Sequence, residues 1–180
     1  MDTPNLASLV AGFQPVYGAP ISIRPLRADD FEIEEAFIRG LSTATRSDRL
    51  LGGARAITPE YVARLTQVDY PRELALAATV MLEGRETLIG VARYVRDAAA
   101  AACEFALVVA DAWQGHGVGK RLLEALIHAA RRHGIGRMNG YVLSLNRPML
   151  GLAIRFGFRP QRVPGDATLT EVRLELAAAH

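Results

Sequence analysis

The chain of 180 residues contains one lysine, Lys120, and one cysteine, Cys103. A single cysteine excludes an intramolecular disulfide. A single lysine leaves the protein few side-chain amines of its own to modify, and arginine carries the remaining positive charge. Neither sign is in much excess, since the formal net charge is +2 at pH 7; this gives no case for the one-sided basic surface that nucleic acid requires. No apolar run reaches the ~18–20 residues of a membrane-spanning helix, and the runs that exist are broken by charge, as at Glu104 and Asp111. Residues 1–20 hold Asp2 and no basic cluster ahead of an apolar block, so no signal peptide is read there. A cytoplasmic location, with neither nucleic-acid nor membrane partners, is expected. His116, His128, His133 and His180 lack metal-ligand spacing with one another or with acids, which argues against a bound metal and against a His-based dyad.

Half of the residues are hydrophobic, enough for one continuous core in a chain of single-domain length. Pro4, Gly12, Pro15, Gly18 and Pro20 mark residues 1–20 as an arm without a regular element, leaving 21–180 as one α/β domain. Ile21-Ser22-Ile23-Arg24 alternates and stops at Pro25, a first strand. Asp29 or Asp30 then caps a helix to about Arg39, with Phe31, Ile33, Ala36, Phe37 and Ile38 on its apolar side. Residues 42–56 are polar, hold Arg46, Arg49, Arg55 and Gly52-Gly53, and read as a mobile connector. Thr58-Pro59-Glu60 opens a second helix. Apolar runs at 74–82, 87–95 and 103–110, joined by short connections, predict an antiparallel meander. A helix over 117–133 turns Val118, Leu122, Ala125, Leu126 and Ala129 inward and Arg121, Glu124, His128, Arg131 and Arg132 outward. A strand at 137–143, a helix capped by Asn146 and ending at Gly157, and strands at 158–163 and 168–176 complete the order β-α-α-β-β-β-α-β-α-β-β. No period repeats, and the sheet should be mixed.

At the centre of this order, residues 104–120 form an apolar strand, a short loop and then Gly115, Gly117 and Gly119 at the start of a helix. This is neither the dinucleotide fingerprint, which needs its own βαβ context, nor a triphosphate loop, which ends in Gly-Lys-Ser/Thr. What remains is an anion nest of backbone N–H groups at the positive end of a helix, with Lys120 as an added point charge. From the glycines alone, a tight turn without ligand stands beside it.

The run Trp113-Gln114-Gly115-His116-Gly117-Val118-Gly119 resembles the acetyl-CoA signature of the GNAT N-acetyltransferases, Gln/Arg-x-x-Gly-x-Gly/Ala, matched by Gln114, Gly117 and Gly119. Asn146 followed by Gly157-Phe158 resembles the second block of that family, and the element order agrees over residues 21–176. The resemblance implies a GNAT-like α/β fold: a mixed, mostly antiparallel sheet with helices on both faces and strands splayed at the cofactor cleft. It implies acetyl-CoA as cosubstrate and no metal. The backbone of Leu107, Val108 and Val109 would pair with the pantetheine arm. The pyrophosphate would take N–H groups from Gln114, Gly115, His116, Gly117, Val118, Gly119 and Lys120. Asn146 would touch the pantetheine arm, beside a plain role as helix cap.

Two segments, Arg64-Leu65-Thr66-Gln67-Val68-Asp69-Tyr70-Pro71-Arg72-Glu73 and Glu104-Phe105-Ala106-Leu107-Val108-Val109, resemble the GNAT domains of bacterial protein lysine acetyltransferases. A protein lysine is therefore the expected acceptor. A small amine, or a non-catalytic acyl-CoA-binding sensor, are the alternatives. Those enzymes carry an added nucleotide-binding or acyl-CoA-synthetase-like domain, for which 180 residues leave no room. A homodimer stays open.

Transfer to an amine needs a base, because an ammonium has no lone pair. Glu104 is the candidate: it interrupts an apolar strand, shares a face with Ala106 and Val108, and by that apolar setting should hold a raised pKa. It also sits where the lysine acetyltransferases keep their catalytic glutamate. The plain alternative is a strand-end glutamate reaching solvent or an arginine. Seven residues past Asn146, where many members of the family carry an acidic tyrosine, this chain has Ala153. Tyr141 is the nearest tyrosine and should fill the core or line the cleft. Cys103, on the opposite strand face from Glu104, should be a small buried residue, and Trp113 should pack under the loop. The acceptor site should come from the helix pair and its connector, about residues 42–72, together with the later strand turns. There Arg46, Arg49, Arg55 and Arg72 either attract an acidic acceptor or form a solvated face, and the resemblance adds Tyr70 and Glu73.

Overall fold

A computed structural model describes residues 11–13, 19–98 and 101–176. Its strands are β1 (Ala11–Phe13), β2 (Ile21–Pro25), β3 (Glu73–Leu82), β4 (Arg85–Arg96), β5 (Ala102–Val109), β6 (Arg137–Leu143), β7 (Arg159–Val163) and β8 (Asp166–Glu175). Its helices are α1 (Phe31–Gly40), α2 (Thr43–Arg49), α3 (Pro59–Thr66), α4 (Val118–Arg132) and α5 (Arg147–Arg155). The strands form one sheet in the order β1-β2-β3-β4-β5-β6-β8-β7, antiparallel everywhere except between β5 and β6. None of the described helices is long and apolar enough to cross a membrane.

Two expectations need correction. The arm contributes a strand: Ala11, Gly12 and Phe13 pair antiparallel with Ile23, Ser22 and Ile21. Its other residues, 1–10 and 14–18, lie outside the described residues, as do 99 and 100 of the alanine run. The supposed mobile connector contains α2. This helix has no apolar stripe and buries no residue, so helical periodicity could not reveal it. It starts because the Ser42 hydroxyl accepts the Thr45 N–H, an N-cap bond. It ends where Leu51 and Gly52 take positive φ angles.

Helices cover both faces of the sheet. On one face α4 lays Leu122, Leu123, Leu126 and Ala129 against strand residues such as Leu76, Ile89 and Met138, in a cluster that also takes in Ala153 of α5. The buried stripe is wider than its spacing predicted, because Leu123, Ile127 and Ala130 are buried as well. On the other face α1 and α3 supply Phe37, Ile38 and Leu65, which cluster with Ala75, Ala77, Val91 and Val108. Beyond the end of α4, His133 lies between two tyrosines: Tyr70 Oη is 3.1 Å from its Nε2 and Tyr94 Oη is 2.5 Å from its Nδ1.

The parallel pair is short. Ala102, Cys103 and Glu104 of β5 pair with Arg137, Met138 and Asn139, and pairing stops there. Past Glu104, β5 stays paired with β4 through Val109, and β6 stays paired with β8 through Leu143. The two strands therefore part at Phe105. Its ring sits over Gly140, where an added Cβ would overlap the ring edge, and packs on Phe158 at 5.1 Å between centroids. Glycine at 140 is what lets an aromatic ring fill the root of the split.

Candidate active site

From that split the chain runs into the loop that opens α4. The helix is capped by Gly117, whose φ of 85° is left-handed, and Gly115 has a φ of 76°. At both glycines a Cβ would meet open space, so the left-handed backbone is what favours glycine there. No side chain caps the helix, and no acid lies in its first turn. The free N–H groups of this 15-residue helix thus point into an uncapped nest beside the gap between β5 and β6. Gly119 lies against Leu107, Val109 and Leu152, where a Cβ would make contact at 3.4–3.6 Å. This cradle suits a phosphate-bearing group whose extended arm enters the gap, the shape that acetyl-CoA presents.

The residues expected around this cradle are placed as follows. Gln114 is turned back: its Nε2 donates to the Val109 carbonyl at 3.0 Å and to the Thr45 hydroxyl at 3.2 Å. His116 is half-buried and Lys120 exposed. Trp113 packs against the α4-side core. Asn146 is a helix cap, its Oδ1 accepting the Met149 N–H at 3.1 Å. Ala153 is fully buried, so that position offers no acid to the cleft. Cys103 is 1% exposed, and burial pushes its thiol up to about 12. Tyr141 is 39% exposed and does not fill the core.

Alternation holds along β5. Cys103, Phe105, Leu107 and Val109 face α4, while Ala106 and Val108 face the α1–α3 side, which places Glu104 on the latter. Glu104 is exposed rather than enclosed by apolar neighbours. In register with it across the sheet lie Val95, Asn139 and Arg173, and the Asn139 Oδ1 and Arg173 Nε atoms are buried without hydrogen-bond partners.

Ala106 and Val108 form part of the floor of a pocket of about 510 Å³, its open mouth included, roofed by α1, α2 and α3. Five charged side chains line it: Glu34, Arg46, Arg49, Arg55 and Arg93. Glu34 is the carboxyl that is enclosed, at 2% exposure. Burial raises its pKa, against the opposing pull of Arg93 and Arg49. Arg93 is pushed down by burial and by Arg49, and its Nη2 donates to the Leu65 carbonyl at 3.0 Å. Arg55 stacks over the Tyr61 ring, 4.6 Å from its centroid. Arg46, Arg49 and Arg55, grouped in the sequence only as a basic stretch, are brought together. Arg72 is not among them and lies 3.7 Å from Asp69. Tyr70 is occupied with His133, and Glu73, 5% exposed, is paired with Arg64 at 2.9 Å. Arg93 had a signal in the sequence, as the one charge inside an apolar strand run. Glu34 had none, since it sits among Glu32 and Glu35.

One carboxylate joins the pocket to the cradle. Asp111, in the loop between β5 and α4, accepts the Ser42 N–H at 2.9 Å, the Ser42 hydroxyl at 2.6 Å and the Thr45 hydroxyl at 2.7 Å. The Ser42 bonds, then Thr45, hold its carboxyl down at about 2.

A split parallel pair, an uncapped glycine nest and a pocket on the far side of the same strand suit a cosubstrate with an anionic end and an extended arm, and comparisons with known proteins place the chain among the acetyltransferases. The model of the acetyltransferase (GNAT) family matches residues 48–158. The chain is 38% identical over 159 residues to Acetyltransferase PA5475 of Pseudomonas aeruginosa, covering 88% of this chain and 86% of that one. It is 34% identical over 126 residues to Acetyltransferase Pat of Mycolicibacterium smegmatis, covering 69% of this chain but only 37% of that larger protein. Among solved structures it superposes on the GNAT domain of S. lividans PAT with a TM-score of 0.83 and 28% identity, over 94% of this chain and 98% of that one. The protein belongs to the GNAT acetyltransferase family and is an N-acetyltransferase.

Proposed function

We propose that the protein transfers the acetyl group of acetyl-CoA to a primary amine, with Glu104 as general base. The observation that carries this reading is the position of Glu104: it is the last residue of β5 paired to β6, on the pocket face, where the two strands part. The acyl thioester, supplied by acetyl-CoA, lies in the gap, with its pyrophosphate on the N–H groups of Gly115 to Lys120, since the Gln114 N–H donates to the Asp111 carbonyl, and its pantetheine arm along Leu107, Val108, Val109 and Asn146. Glu104 takes a proton from the acceptor ammonium, directly or through water. The amine nitrogen then attacks the thioester carbonyl carbon; the C–N bond forms, the C–S bond breaks, and coenzyme A leaves as its thiolate. The nitrogen gives up its second proton as the amide forms, and the thiolate, with no acid at Ala153, takes a proton from water or another group.

Kinship with the Pat proteins supports a protein lysine as acceptor, and a homodimer and a cytoplasmic setting are compatible with it. The charged pocket favours the second reading, a small amine. Replacement Glu104→Gln should lower kcat by about 10²–10⁴ while leaving the KM for acetyl-CoA unchanged, measured by thiol release. Unchanged turnover removes Glu104 from the mechanism. Tight acetyl-CoA binding with no turnover of any amine or peptide favours a sensor instead.

A further inference from the structure

The pocket under α1–α3 contains polar groups that the fold leaves unmatched. Glu34 Oε2 and Arg93 Nε are buried and have no hydrogen-bond partner. Neither interior acceptor nor interior donor is normally left unmade, because each costs the full desolvation of the group. Arg46, Arg49 and Arg55 form no ion pair with any described residue. Elsewhere in the molecule, arginines with a carboxylate in reach use it, as Arg24 does with Asp30 and Glu86, and Arg64 with Glu73. Four guanidiniums against one carboxylate leave the pocket strongly positive.

An orphaned acceptor and an orphaned donor in one cationic pocket describe a ligand that carries both an N–H donor and an anionic oxygen pair. The remaining walls, Phe37, Leu41, Ile57 and Leu65, are apolar and suit a hydrocarbon side chain. The floor residue Ala106 lies two positions from Glu104 on the same strand face, about 7 Å away at strand rise. Glu104 stands outside the pocket's lining, so a ligand seated there meets the proposed base only by extending its amine along β5 or through a water. Peptide segments fit less well, since a chain's internal amides carry no carboxylate for the arginines.

We propose that this pocket is the acceptor site and that the acceptor is a small apolar amino acid, its carboxylate held by Arg49, Arg46 and Arg93 and its amine directed between Glu34 and Glu104. Arginine suits the first task because its planar fork meets a carboxylate in two parallel bonds. Arg55, fixed over Tyr61, supplies field at the mouth. Glu34 is a positioning residue that accepts an amine N–H. The inference rests on the acetyltransferase reading for its chemistry, but the binding it asserts does not need turnover.

The test pairs L-phenylalanine and L-methionine with their primary amides, which keep the amine and lose the charge. Thiol release with acetyl-CoA should favour each acid over its amide by about a hundredfold in kcat/KM, the upper order of a lost hydrogen bond to a charged group. Arg49→Gln should erase most of that ratio and raise the KM of the acids at least about tenfold, the order of a lost charged hydrogen bond, with the KM for acetyl-CoA unchanged. Arg72→Gln, outside the pocket, should change neither. Titration calorimetry with the same four compounds reads binding alone, and a thermal melt guards against misfolding of the variants. Equal use of acid and amide overturns the proposal, and so does turnover confined to lysine peptides; the acetyltransferase reading survives both. Arginine-dependent calorimetric binding of the acids with no turnover of any amine supports the pocket and overturns acetyl transfer.

Discussion

The two faces of β5 differ in kind. Toward α4, Cys103, Phe105, Leu107 and Val109 belong to a dry core in which the helix residues Leu122, Leu123 and Leu126 are fully buried. Toward α1–α3, the same strand presents Glu104, Ala106 and Val108 to a region with unmatched charged atoms at Glu34 and Arg93. Both faces bury apolar side chains, but the second also holds charged atoms that the fold leaves unmatched. One strand can present two such faces because its side chains alternate. The consequence is separability: changes on the first face should move melting without acceptor choice, and changes at the pocket's charged side chains should do the reverse.

The strongest way to break that separation is Leu126→Ala. Leu126 is fully buried, and a cavity there should cost about 2–5 kcal/mol, read by denaturant unfolding, while relative rates across an acceptor panel stay fixed. A shift in acceptor ranking would show that the two faces are coupled. Gly140→Ala tests the root of the split. Its Cβ would overlap the Phe105 ring, and overpacking should cost about 1–3 kcal/mol. Because Phe105 borders the gap, this variant should also raise the KM for acetyl-CoA.

A smaller effect is expected at Asp111. Its folded pKa lies below the ordinary value of 3.8, at about 2. The stabilisation from its bonds is therefore complete above about pH 4 and is lost as the pH falls toward 2. Asp111→Asn should lower the melting temperature slightly at neutral pH. The gap between variant and parent should close on acidification over that window. A gap that persisted at pH 2 would mean that the bonds to Ser42 and Thr45 do not depend on the charge.

The α4 face was legible from sequence. The stripe on the helix, the meander before it and the glycines at its start are local signals, and local signals place elements on a sheet when each strand neighbours the next in sequence. The split between β5 and β6 followed from the resemblance and is realised in the register. The α1–α3 face was legible in part: the amphipathic α1 and α3 were read from their apolar spacing, and α2 was not. Thr43–Arg49 lacks apolar periodicity, and its helix is set by a cap and by a carboxylate 66–69 residues away. Three glutamates in α1 look alike in sequence, and only packing determines that Glu34 is the one enclosed. Gly140 gave no signal, because its role is defined by a ring arriving from another strand.

The manner in which α2 is held has a bearing on how such an enzyme diversifies. The helix buries nothing, and Ser42, Thr45 and Asp111 fix it by hydrogen bonds from outside its apolar neighbours. Arg46, Arg49 and Leu50, which face the pocket, can therefore vary without removing side chains from the core. A library that randomises these three positions and keeps the Ser42–Thr45–Asp111 anchor should yield mostly folded proteins with redistributed acceptor preferences, so that a single aspartate licenses the evolution of the wall beside it.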